Sequence, residues 1–160
     1  MTLAAAALSI LVVILVAGAA LEDADTGRVT IRRAQRITAV AFVGFGAISA
    51  LSGTWDRLLT ASLGVVVIAG IQAIPYVLQS QGEGRDWIGK ADVRLGVPFG
   101  WTLGWFGVGV AVAGFAVSLA GGVLFSLAAR RQRVPFVPFL ALGLACGVAW
   151  GVLRLATGKA

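Results

Sequence analysis

Apolar residues fall in long, nearly unbroken runs separated by short clusters of charge. Five runs approach the roughly 20 apolar residues that a helix needs to cross a bilayer: Leu3 to Leu21, Ile37 to Thr54, Leu59 to Leu78, Gly107 to Ala128 and Pro135 to Leu155. A sixth piece, Asp92 to Trp105, is too short to cross unaided at about 1.5 Å per residue. The pattern predicts an all-α, polytopic membrane bundle of about six transmembrane helices, the fourth short, forming one domain over residues 1–160. Pro75 predicts a kink near one end of the third helix.

The charge clusters test whether the short piece crosses. If it does, the loops bearing Arg28, Arg32, Arg33 and Arg36, then Arg85, Lys90 and Arg94, then Arg130, Arg131 and Arg133 share one side, which the positive-inside rule assigns to the cytoplasm. If it does not, the last cluster moves outside and the bias nearly vanishes. Six crossings with both termini external are therefore expected. The first run resembles a signal sequence, but it has no basic segment ahead of it and is longer than usual, so it reads as a retained helix.

Composition agrees with a membrane chain: 59% of the 160 residues are hydrophobic and 12% are charged. The net charge of +6 is spread over several loops instead of forming a stripe, so nucleic acid is not an expected partner. There is one cysteine, Cys146, and no histidine. Intrachain disulfides, Cys/His zinc sites and histidine acid/base chemistry are thereby excluded. The 22 glycines favour close helix packing, with Gly44 and Gly46, Gly107 and Gly109, and Gly143 and Gly147 read as packing surfaces.

Carboxylates carry what chemistry remains. Asp23 follows the first helix and Asp92 begins the fourth, and both fall on the expected cytoplasmic side, at the same expected membrane depth. Taken singly, Asp92 reads as a helix cap and Asp23 as a charge in a wet loop. Taken together they match what acid/base peptide hydrolysis needs, because two close carboxylates do not both ionise easily: one keeps a proton while the other activates water. Such a site needs no metal or cofactor.

Three stretches resemble motifs of the prepilin peptidases, the G-x-G-D-type intramembrane aspartic proteases that trim type IV pilin leaders. The run from Leu21 to Thr30 (LEDADTGRVT) is similar to their D-L-R-T-x-R-I-P segment, Gly89 to Leu95 (GKADVRL) to G-x-G-D-V-K-L, and Arg133 to Ala141 (RVPFVPFLA) to the I-P-F-G-P-F-L-A segment that opens their last helix. The order and the side of the membrane match, and the resemblance covers essentially the whole chain. Thr30 stands for the proline of the first motif, Ala91 for the second glycine of the second, and Val137 for the glycine of the third.

Carried over by position, the resemblance implies Asp23 and Asp92 as the catalytic dyad. Asp25 is the rival for the first place, but only Asp23 keeps the six-residue step to Val29. Arg94 takes the place of a lysine and reads as a membrane-surface anchor. The chain lacks the cysteine-bearing cytoplasmic insert of larger members, so it resembles the short, peptidase-only form, without methyl transfer. The implied partners are prepilin-like precursors and the lipid bilayer, and the implied location is the inner (cytoplasmic) membrane with the active site facing the cytoplasm. The loop from Gln79 to Lys90 is either a flexible connection or a segment that moves to admit peptide. Two alternatives stay open: a degenerate relative acting in pilus assembly, and an unrelated small transporter or assembly protein.

Overall fold

No water reaches backbone amides in a bilayer core, so each apolar run satisfies its own N–H and C=O groups as an α-helix. The computed structural model describes residues 2–26, 29–80, 90–129 and 136–158 and follows this rule. Its helices are α1 (Thr2–Thr26), α2 (Ile31–Ser52), α3 (Trp55–Ser80), α4 (Lys90–Phe106), α5 (Val108–Ala129) and α6 (Val137–Ala156). All but α4 are long and apolar enough to cross a membrane, which makes this a multi-pass membrane protein. Helices α1 and α2 reach beyond the apolar runs into charged sequence, because Glu and Arg are good helix formers in their own right. Helix α3 continues through Pro75 to Ser80.

The outer surface is greasy in the way a lipid-facing surface must be. Ile14 on α1, Val43 on α2, Leu59 and Val66 on α3, and Leu124 and Leu127 on α5 are all exposed. An apolar surface this extensive marks contact with lipid.

Helix α4, the least membrane-like of the six, lies at the centre. It touches each of the other five helices, and from Leu95 to Phe106 every residue except Val97 is buried. Its 17 residues rise only about 25 Å. A helix sheathed in protein does not have to match the bilayer thickness itself, so its shortness costs little.

Glycine lets it sit there. Gly96, Gly100 and Gly104 recur at four-residue steps along one face and meet, in turn, Gln72, Gly64 and Thr60 of α3. The reversed order makes α3 and α4 antiparallel, so α4 carries the chain back along the bundle as the charge pattern required. The approach is backbone to backbone: a Cβ on Gly100 would stand 2.6 Å from the Gly64 carbonyl oxygen, and one on Gly104 would stand 2.8 Å from that of Thr60.

The glycine pairs singled out by spacing divide. Gly143 and Gly147 do pack: Gly143 lies against Ser118 and the Gly114 carbonyl of α5, and Gly147 receives the Leu103 side chain of α4. Gly44 receives Leu8, but Gly46 faces open space. Gly107 and Gly109 do not form a packing surface. Gly107 is the one residue between α4 and α5 and takes φ +130°, while Gly109 has nothing near it. Gly107→Ala is therefore expected to destabilise the fold by about 1–3 kcal/mol through backbone strain. Gly109→Ala, inside a helix with free space, should be neutral or slightly stabilising. Thermal melts of the two variants in one detergent check the contrast.

Polar pins fix α4 at the end away from Asp92. The Trp105 indole N–H donates to Ser49 Oγ at 3.0 Å, and the Arg57 guanidinium lies 5.5 Å from the Trp105 ring centre. One to two turns nearer Asp92, Phe42 and Trp101 stack with centroids 3.9 Å apart. These contacts set α2 and α4 parallel.

Candidate functional site

Asp23 lies in the last turn of α1 and Asp92 in the first turn of α4. Helices α2 and α4 are parallel, and α1 runs against α2, with Leu8 meeting Gly44 and Gly18 meeting Arg33. The end of α1 and the start of α4 therefore share one end of the bundle, and the two helices touch. The helices are offset along the axis. Arg94 and Val97 of α4 stand beside Gln35 and Thr38 of α2, whereas Asp23 lies beyond Gly18, where Arg33 crosses to α1. The first turn of α4 thus lies somewhat further into the bundle than Asp23. The carboxylates of Asp23, Asp25 and Asp92, the Lys90 side chain, loop residues 81–89 with Glu83 and Asp86, and the basic cluster of Arg130, Arg131 and Arg133 lie outside the described residues.

Beside the first turns of α4 runs a lateral groove of about 440 Å3, lined by Gln35, Thr38, Ala39 and Phe42 of α2 and by Arg94 and Val97 of α4. Arg94 is exposed along it, as an interfacial anchor should be. The wall is mostly apolar with a few polar groups at one end, a lining suited to a hydrophobic helix or an extended apolar segment.

Gln72 escaped the sequence reading. It is 2% exposed, and neither its amide oxygen nor its amide nitrogen has a hydrogen-bond partner among the described residues. Its side chain rests on Gly96, which follows Asp92 by four residues and so occupies the same face of α4, one turn further in. An unpaired buried amide costs about 1–3 kcal/mol, so a polar group brought to this face would find a donor and an acceptor waiting. The available signal was that Gln72 is the only amide side chain in the run from Leu59 to Leu78. Thr102 Oγ1 and Trp101 Nε1 are likewise buried and unpaired on α4.

Among the described residues, no three His, Cys, Asp or Glu side chains come together as metal ligands would. Compared with protein-family models, with curated proteins and with solved structures, the chain finds no match.

Proposed function

We propose that this protein is an intramembrane aspartic endopeptidase that removes the leader from prepilin-like precursors at the cytoplasmic face of the inner membrane, with Asp23 and Asp92 as its dyad. The observation that carries the reading is that the helix bearing Asp92 is enclosed by the other five, while its first turns border an open, apolar groove. A precursor's hydrophobic helix would lie in that groove with its basic leader outside, presenting the scissile bond at the end where α1 finishes and α4 begins. One carboxylate takes a proton from water as it attacks the carbonyl carbon, and the other gives its proton to the leaving amine.

Two of the departures from the family motifs are compatible with the backbone. Thr30 holds φ −69°, a value that proline also takes. Ala91 lies within α4, where alanine is the best helix former and the freedom of glycine is not needed. Val137 is fully buried at the start of α6 and fills its site with side chain. A non-cleaving relative in pilus assembly is the second reading, favoured by the departures from the family motifs at Thr30, Ala91 and Val137.

Co-expression with candidate prepilins, following leader loss by mass, tests the proposal. Cleavage is expected, and failure on every pilin encoded nearby would favour the assembly reading. Geometry is tested separately. In a Cys146→Ser background, Asp23→Cys with Asp92→Cys should be joined by a short bifunctional maleimide, and Asp23→Cys with Asp56→Cys, at opposite ends of the bundle, should not. Equal yields for the two pairs would remove the dyad.

A further inference from the structure

A second groove, of about 560 Å3, runs between the closing turns of α1 and the opening turns of α2. Its mouth is basic: Arg32, Arg33 and Arg36 line it with Thr30, and among the described residues Glu22 is the one carboxylate on it. Arg33 is already committed. It crosses to α1, pairs with Glu22 and lies over Gly18, where a Cβ would stand 2.6 Å from its Nη2. Arg32 and Arg36 are exposed and have no ion pair among the described residues.

Away from the mouth the lining turns apolar, with Leu15 of α1 and Ile37 and Val40 of α2. Eight residues separate Arg32 from Val40, about 12 Å along the helix. The groove thus passes from guanidinium groups to hydrocarbon over roughly the distance from the headgroup layer of a leaflet to its upper acyl chains. Guanidinium forks suit phosphate oxygens, and basic pockets between transmembrane helices suit anionic headgroups. This groove shares no lining residue with the one between α2 and α4, and its role does not rest on the peptidase reading.

We infer that this groove binds one anionic phospholipid, its phosphate between Arg32 and Arg36 and the start of its acyl chains along Leu15, Ile37 and Val40. The full-length chain in neutral detergent is titrated with dioleoylphosphatidylglycerol or dioleoylphosphatidylcholine, and bound lipid is counted by native mass spectrometry. The parent should retain the anionic lipid preferentially. Arg32→Gln combined with Arg36→Gln should weaken that retention about 30-fold, a factor of about five for each arginine, and leave phosphatidylcholine unaffected. Unchanged melting without added lipid shows that the double variant is folded; if it melts lower, Arg36→Gln alone should still weaken retention about fivefold. Equal retention of the two lipids by the parent, or undiminished retention by the variants, overturns the assignment. So does inorganic phosphate alone displacing the anionic lipid, since the site would then take a free anion.

Discussion

Asp92→Asn is expected to lower leader cleavage by at least about 100-fold, and Asp23→Asn by a comparable factor, because each removes one of the two groups that move protons in the proposed reaction. The two losses should not multiply, since carboxylates that share one water act as a unit and the double variant has little left to lose. Asparagine is chosen because it nearly matches aspartate in shape. At the start of α4 a carboxylate also favours the helix dipole, an effect of about 0.3–1 kcal/mol. A pure capping role therefore predicts a slightly lower melting temperature with cleavage intact, whereas the catalytic role predicts lost cleavage with melting nearly intact. Asp25→Asn should cleave like the parent. A parent that cleaves while Asp23→Asn or Asp92→Asn cleaves equally well would sink the dyad, and full loss in Asp25→Asn would move the first acid to Asp25.

A large effect on the fold is expected from Gly100→Val. A Cβ at Gly100 meets backbone on α3, at 2.6 Å from the Gly64 carbonyl oxygen and 2.8 Å from the Val65 Cα, and backbone has no rotamer by which to move aside. Helix α3 has to separate from α4, and the loss is expected to reach or exceed about 3 kcal/mol, the upper end for overpacked cores. Gly46→Val, a like substitution in a neighbouring helix, meets nothing within 4 Å and should lie within about 1 kcal/mol of the parent. Unfolding in a detergent series reads both. Similar melting of the two variants would show that the α3–α4 contact is not close-packed in the membrane.

Element existence was legible because lipid leaves the backbone little choice. A long apolar run must become a helix, so the five long runs of the sequence are the five long helices. The sixth was readable from charge: only with a crossing at Asp92 to Trp105 do the basic loops gather at one end, and α4 does return the chain along α3. Asp23 and Asp92 were placed at a common end by the same parity, which needs nothing but the number of crossings.

Only the tertiary structure decided which helix is central, which glycines pack and which polar groups are stranded. Hydrophobicity does not distinguish inside from outside in a membrane protein, because a leucine is as comfortable against lipid as against another helix. Association rests on shape, and shape is a property of two surfaces. Gly46 and Gly100 look alike in the chain, yet one faces open space and the other meets the backbone of α3. Gln72 resting on Gly96 and Arg33 lying over Gly18 depend in the same way on a partner distant in sequence. The sequence by itself determined how many helices there are and which ends they share; the packing of one backbone against another decided the rest.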